Sequence, residues 1–207
     1  MAGLLVLALP LCQAGALDLG RFELAARRLG ATAPARDLEA LLSRLAGADD
    51  AARLLAVNDF FNRRIVYADD MQVWGQVDYW ASPLEMLSRG RGDCEDYVIG
   101  KYFSLIALGM PAARLRLVYV RARIGGSVQA HMVLAYYAAP GAEPLILDNL
   151  VPDVTAASRR PDLEPVFSFN GDGLWQGTGT QTAGDPVLRL SRWRDVLAKA
   201  REEGFMP

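Results

Sequence analysis

Apolar side chains recur every three or four residues from Leu19 to about Arg64, and this spacing predicts a helical lobe in the first part of the chain. From Val66 to Trp80 the pattern is aromatic and irregular. The residues Ser-Pro-Leu-Glu at 82–85 are typical of a capped helix start with proline at the first position. The two glycines within 88–92 are predicted to end this helix.

A second helix is predicted from Asp93 or Cys94 to Leu108, with Gly109 and Pro111 as its stop signal. After Pro111 the apolar period changes to two, which predicts strands joined by short turns and therefore an antiparallel sheet. The predicted fold is α+β, with the helical lobe packed on the antiparallel sheet in a single domain over 17–207. The strands are predicted at 115–122, 130–137 and 144–149, and a final helix near 191–203.

Residues 1–16 are mostly apolar and end in the small residues Ala14-Gly15-Ala16, which resemble the cleavage site of a secretory signal. We therefore expect a signal peptide over 1–16 and a periplasmic mature protein that does not insert into the membrane. A membrane anchor is the first alternative, but it needs about 20 apolar residues and Pro10 interrupts the run. A buried N-terminal helix is the second alternative.

Composition narrows the class of protein. A chain of 207 residues with 52% hydrophobic content can bury one substantial core. Its formal net charge of -2 provides no broad basic surface, which argues against a nucleic-acid partner.

Cysteine and histidine are unusually scarce. Removal of the leader would take away Cys12 and leave Cys94 as the single cysteine, and His131 is the single histidine. In an oxidising compartment, a lone thiol is expected to be either buried and inert or kept for its reactivity. Cys94 and His131 are therefore the pair from which an activated thiolate could be built.

The predicted elements suggest how this pair is assembled. A thiol in the first turn of a helix lies near free backbone N–H groups and the positive end of the helix dipole, which favour the thiolate and can stabilise an oxyanion. If a hairpin closes over Ala138 to Gly141, His131 faces Asp148 directly across the ladder. We then expect the carboxylate to accept from Nδ1–H of the imidazole and to hold Nε2 toward the thiol.

Three carboxylates, Asp93, Glu95 and Asp96, surround the predicted nucleophile. Unneutralised carboxylates raise the pKa of a neighbouring thiol. Either Asp93 caps the helix while the other two complement its dipole, or a hard cation such as calcium offsets the charges. The spacing matches no EF-hand loop, so the residues by themselves favour capping.

Several segments together resemble the bacterial transglutaminase-like cysteine proteinases, over about residues 50–175. Within that family the similarity is to the periplasmic proteases that release a large surface adhesin by cutting near its N-terminus at a di-alanine site. The segments are Asp78–Glu85, Gly92–Tyr102, Leu115–Val120, His131–Tyr137 and Leu147–Leu150, followed by Ala157–Asp162 and Phe167–Asn170.

The resemblance implies a papain-like or transglutaminase-like fold with catalytic roles for Cys94, His131 and Asp148. It also implies calcium bound through Asp93 and Glu95, with Asp96 as a weaker candidate. The implied partners are the adhesin, whose release controls biofilm attachment, and an inner-membrane cyclic-di-GMP receptor that sequesters the protease.

Two other functions use the same residues. The first is acyl transfer to an amine, or trimming of cell-wall peptides, by the same Cys-His-Asp triad. The second is a calcium-dependent binding module in which the triad is vestigial.

Overall fold

Helices form the first half of the protein and a sheet dominates the second, which confirms the predicted α+β fold. The computed structural model describes residues 17–206, so the predicted signal peptide lies outside the described residues. Within that range, no helix has the length and apolar character needed to cross a bilayer. The helices are α1 Leu19–Arg28, α2 Thr32–Arg44, α3 Asp50–Arg64, α4 Asp70–Val73, α5 Pro83–Arg89, α6 Cys94–Ala107, α7 Pro186–Arg189 and α8 Ser191–Glu202.

The main sheet has seven strands in the order β6-β5-β4-β3-β7-β8-β9, and every neighbouring pair is antiparallel. The three strands predicted from the period of two are adjacent in it, as β5, β4 and β3. A separate parallel ribbon pairs β1 with β2. The strands are β1 Val66–Tyr67, β2 Arg91–Gly92, β3 Leu115–Ile124, β4 Ser127–Tyr136, β5 Leu145–Leu147, β6 Thr155–Ala156, β7 Leu163–Phe169, β8 Leu174–Gln176 and β9 Thr182–Gly184.

Local sequence explains the segment that leads to Cys94. The predicted helix start is present: Pro83 occupies the first turn of α5, and Ser82 and Glu85 form a capping box there. Gly90 ends the helix with a φ of 63°, a left-handed conformation that glycine adopts without steric cost. The chain then forms β2 beside β1 and enters α6 at Cys94.

Helix α6 is the centre of the hydrophobic core. It packs against β4 and α3, and nearly all of its residues from Asp96 to Ile106 are buried. A Cβ atom on Gly100 would lie 2.6 Å from Met86 and 2.7 Å from Phe61, so the glycine permits close approach of these side chains. Trp193 of α8 packs against the aromatic rings of the same core and ties the last helix to it.

The register between β4 and β5 differs by two residues from the prediction. The observed pairs include Leu134 with Leu147 and Tyr136 with Leu145, so His131 and Asp148 do not face each other directly. The turn closes over Ala139 to Ala142, where the Ala142 N–H donates to the Ala139 carbonyl at 3.0 Å, rather than over Ala138 to Gly141. Because both ends of the turn move by one residue, the register shifts by two. An even shift keeps both side chains on the same face of the sheet.

The C-terminal end of α8 is joined to the start of α5 by a buried carboxylate. Glu203 is 2% exposed, and it accepts hydrogen bonds from the Ser82 hydroxyl and from the Leu84 N–H at 3.1 Å. Burial raises the pKa of Glu203 to about 7 despite these two bonds. The folded protein therefore retains a proton on Glu203 that the unfolded chain releases at lower pH.

We predict that Glu203 makes stability fall as pH rises from about 4.5 to about 7, because the folded state binds the extra proton throughout that window. Over this window the free energy of unfolding of the wild type should fall by up to about 3 kcal/mol relative to that of Glu203→Gln, which has no titrating group at this position. Urea unfolding at several pH values, followed by tryptophan fluorescence, measures this difference. Glu202→Gln, at a side chain that is 67% exposed, is the matched control and should follow the wild type. If the difference in unfolding free energy between the wild type and Glu203→Gln stays constant with pH, the prediction is contradicted.

Candidate active site and acidic cluster

Cys94 is the first residue of α6, as predicted, and its side chain is partly buried. The start of the helix places the sulfur beside backbone N–H groups that have no partner within the helix. The Met132 N–H of β4 lies beside this sulfur and lowers the pKa of the thiol. The nucleophile candidate is therefore next to the residue that follows His131.

The thiol is not activated in its present surroundings. Burial raises its pKa, and the neighbouring carboxylates of Glu95 and Asp93 raise it further. The thiol donates to Oε2 of Glu95 at 3.0 Å, which stabilises the protonated form. The Met132 N–H acts in the opposite direction, but the carboxylates outweigh it.

His131 and Asp148 form a buried pair. The imidazole Nε2 lies 2.8 Å from Oδ1 of Asp148, and the two side chains are 4% and 0% exposed. Burial by itself would raise the pKa of Asp148. The hydrogen bonds from His131, from the Leu150 N–H and from Arg160 outweigh that effect and lower its pKa to about 2. Asp148 is therefore ionised at neutral pH.

The two imidazole nitrogens are used in the reverse of the predicted order. An ionised carboxylate only accepts hydrogen bonds, so Nε2 carries the proton that Asp148 accepts. Nδ1 is then the nitrogen that can act as a base toward Cys94. The predicted partnership of His131 with Asp148 is present, through the diagonal neighbour across β4 and β5 rather than the directly facing one.

A compact group of carboxylates lies beside the nucleophile. Asp93 and Asp96 are joined by Asp70, which precedes them by more than twenty residues, and one oxygen from each lies within 4.8 Å of the others. Asp96 Oδ1 accepts from the Ala81 N–H at 2.7 Å. A Cβ on Gly92 would lie 2.7 Å from Asp96 Oδ2, so only glycine leaves room for the carboxylate there.

The electrostatics of this cluster suit a hard cation. Burial, and then repulsion from Glu95, Asp96 and Asp70, raise the pKa of Asp93 to about 10. Burial raises the pKa of Asp70 to about 6 and that of Asp96 well above its ordinary value. One buried oxygen on each of the three carboxylates has no hydrogen-bond partner in the described part of the chain. Unpaired oxygens in a crowded anionic site are what a divalent cation would coordinate.

The structure thus changes the predicted metal set. Asp93 stands at the N-cap position of α6 but forms no capping hydrogen bond with its side chain, so the capping interpretation fails. Glu95 falls in a second group with Asp70 and Asp78, in which one oxygen from each also lies within 4.8 Å of the others. Because the two groups share Asp70, all of these carboxylates line one region around the start of α6.

Sequence reasoning missed Asp70 and Arg160. Asp70 lies in the irregular stretch before α5, and only the β1–β2 ribbon brings it to Asp93, so no local pattern marks it. Arg160 is 6% exposed and bonds Asp148 at 2.7 Å. The sequence did contain a signal for Arg160, because this residue lies in the segment Ala157–Asp162, which is part of the family resemblance.

A known sequence family matches more than half of this chain. Residues 38–161 match the sequence family described as bacterial transglutaminase-like cysteine proteinase. No protein with a curated description matches the chain.

Solved structures of Legionella pneumophila LapG are similar to this chain over most of its length. The EGTA-treated form is 36% identical, with a TM-score of 0.78, and the match covers 89% of this chain and 98% of that one. The calcium-bound form is 38% identical, with a TM-score of 0.73, over 82% of this chain and 90% of that one. Cys94, His131 and Asp148 all lie in the region that the sequence family matches.

If His131 serves as the base for Cys94 once a cation offsets the neighbouring carboxylates, iodoacetamide in saturating calcium should alkylate Cys94 at neutral pH faster than it alkylates a model thiol. His131→Ala should lower the rate constant by about 10- to 100-fold, because the thiol loses its proton acceptor. Mass spectrometry of the peptide that contains Cys94 measures the rate. Replacing an exposed polar residue of the same strand, Gln129→Ala, is the control and should leave the rate unchanged. Equal rates in the wild type and His131→Ala would show that the imidazole does not activate the thiol.

Proposed function

This chain belongs to the bacterial transglutaminase-like cysteine proteinase family, and we propose that it is a periplasmic, calcium-dependent endopeptidase that cleaves the N-terminal region of a large surface adhesin. Membership of a peptidase family implies a protein substrate. The choice of adhesin follows from the resemblance of its motifs to the adhesin-releasing proteases. Release of the adhesin would control biofilm attachment.

The observation that carries the proposal is the buried His131–Asp148 contact, one residue away from the Met132 N–H that contacts the Cys94 sulfur. This arrangement supports a single site in which Cys94 is the nucleophile, His131 the base and Asp148 the carboxylate that orients the base. Asp148 supports the Nε2–H form of the imidazole, which leaves Nδ1 free to take the thiol proton. The start of α6 supplies the Cys94 N–H as a candidate oxyanion donor.

In the proposed reaction, Nδ1 of His131 takes the proton of Cys94 and the sulfur attacks the carbonyl carbon of the scissile peptide bond. The imidazolium then protonates the leaving amine, the C–N bond breaks and an acyl-enzyme thioester remains. His131 next takes a proton from water, which attacks the thioester and releases a carboxylic acid and the free thiol. Asp148 remains ionised throughout and stabilises the imidazolium.

Asp70, Asp93 and Asp96 are the residues that would hold calcium, with Glu95 at the edge of the same region. Bound calcium supplies positive charge that offsets the carboxylates beside the thiol. Glu95 is the carboxylate that accepts the thiol hydrogen, so drawing Glu95 away from Cys94 would free the sulfur to face His131. The solved LapG structures, one calcium-bound and one EGTA-treated, support the choice of calcium.

The proposed location and regulator rest on sequence features. The apolar segment 1–16 supports export, and the single cysteine beyond it is compatible with an oxidising compartment. By the same resemblance we propose that the periplasmic domain of an inner-membrane cyclic-di-GMP receptor sequesters the protease. Co-purification of that domain with the Cys94→Ala variant tests the proposed complex. The variant is used because it should not cleave the adhesin substrate.

Cys94→Ala should abolish cleavage of an adhesin N-terminal fragment, lowering the rate by about a thousandfold or more, because it removes the nucleophile of the proposed reaction. The thermal midpoint should stay close to that of the wild type, since the side chain is small and only partly buried. Gel electrophoresis of the fragment measures cleavage. A fragment with its di-alanine site replaced by bulky residues is the control and should remain intact.

Cleavage of the fragment by Cys94→Ala at the wild-type rate would refute the proposed mechanism. Mass analysis of the products separates hydrolysis from acyl transfer. With an added amine, a hydrolase gives a free carboxylate, whereas an acyltransferase or a related enzyme gives an amide. Fragments of cell-wall peptide provide the test of the other alternative substrate.

Removal of calcium with EGTA should suppress cleavage, and added calcium should restore it. Asp93→Ala and Asp70→Asn should lower the rate in calcium by about 10-fold or more, because each removes a ligand oxygen from the cluster. Calcium should also raise the thermal midpoint of the wild type but not of these variants, since a ligand that binds the folded state stabilises it. Asp153→Asn, at an exposed acid outside the cluster, is the matched control. Full cleavage in EGTA would refute the calcium requirement.

A further inference from the structure

Arg160 is a buried cation behind the His131–Asp148 pair. It follows a short 3-10 turn, Ala157–Arg159, and its side chain is 6% exposed. Its Nη2 donates to Asp148 Oδ2 at 2.7 Å and to Asp162 Oδ2 at 2.8 Å, and its Nε donates to Asp162 Oδ1 at 3.0 Å. One guanidinium therefore links two carboxylates, of which Asp148 is completely buried.

Asp148 receives a different set of donors on each of its oxygens. Oδ1 accepts from His131 Nε2 at 2.8 Å and from the Leu150 N–H at 3.0 Å, whereas Oδ2 accepts from Arg160. The Asn62 side chain also donates to the Asp148 backbone carbonyl at 2.7 Å. Without Arg160, rotation of the carboxylate would be restrained on one oxygen only. The oxygen that faces the imidazole would then no longer be determined.

Arg160 is itself held from the sheet side. The Asp162 carbonyl accepts from the Arg123 N–H at 2.9 Å, which fixes Asp162 against the end of β3. The Asp162 carboxylate then orients the guanidinium through two of its nitrogens. Such a fork geometry is available to arginine but not to lysine. The order of contacts is His131, Asp148, Arg160, Asp162 and then β3.

We propose that Arg160 is a positioning residue for the protease reaction, which fixes the Asp148 carboxylate so that His131 presents Nδ1 to Cys94. This inference rests on the proposed roles of Cys94, His131 and Asp148. Arg160 does not touch the reacting atoms; it acts through Asp148. A purely structural arginine would affect stability and leave the state of the imidazole unchanged.

The first test measures the alkylation of Cys94 by iodoacetamide in saturating calcium. Arg160→Met should lower the rate constant by about 10- to 100-fold, because a small misplacement of the base has effects of that size. Arg160→Lys keeps the charge but loses the fork, so it should recover only part of the rate. Arg159→Met is the matched control, because Arg159 is the exposed neighbour of Arg160. Cys94 in this variant should be alkylated at the wild-type rate.

The second test uses ¹⁵N NMR of the imidazole, which needs no assignment because His131 is the only histidine. The wild type should show the proton on Nε2, and Arg160→Met should show a mixture of the two tautomers. Asp162→Asn, which loosens the guanidinium but keeps Arg160, should shift the tautomers in the same direction to a smaller extent. It provides the measurement if Arg160→Met does not fold.

The outcomes separate the two proposals. A wild-type rate no faster than a model thiol contradicts the proposed catalytic function, while the NMR comparison still tests the role of Arg160. The positioning role is overturned if the wild type is alkylated rapidly, the rate constant of Arg160→Met lies within twofold of the wild-type value, and the imidazole tautomer is unchanged in the variant. Loss of thermal stability in Arg160→Met with no change in rate or tautomer also overturns it.

Discussion

The packing of α6 against β4 is the contact on which the other features of this protein depend. It places the first residue of a buried helix, Cys94, against the backbone of Met132, next to the single histidine. Because α6 is buried along almost its whole length, its N-terminus cannot move without disturbing the core. The sulfur, the free N–H groups of the first helical turn and the imidazole are therefore held by the same packing that stabilises the fold.

That position carries an electrostatic cost. The chain places Asp93, Asp96 and Asp70 together beside the thiol, where burial and then repulsion from neighbouring carboxylates raise the pKa of each. Burial and the carboxylates of Glu95 and Asp93 also raise the pKa of the Cys94 thiol. A cation in the cluster would relieve both effects at once, because it would pair the unbonded carboxylate oxygens and oppose the field at the sulfur. The acidic cluster thus couples the state of the nucleophile to a ligand outside the chain.

On the imidazole side the charges are already balanced. Asp148 is buried and ionised, and it is paired with Arg160. Burial lowers the pKa of the nearby Lys101 to about 7, and Asp148 acts in the opposite direction. A buried carboxylate without such partners would be costly, and it would be free to turn. The two sides of Cys94 differ in this respect: Asp148 is neutralised by residues of the chain, whereas Asp93 and its neighbours are not.

Local sequence by itself determined the helical first half, the capped start of α5, the start of α6 at Cys94, and the central strands. Each of these depends on neighbouring residues through periodicity, capping and turn chemistry. It also placed His131 and Asp148 on one face, because the alternation of a strand survives an even shift in register. For the same reason it could not detect the two-residue shift in register, the use of Nε2 rather than Nδ1 toward Asp148, or the approach of Asp70 to Asp93. Those features, and the pairing of Arg160 with Asp148, were decided by contacts between segments distant in sequence, which hydrophobic spacing does not encode.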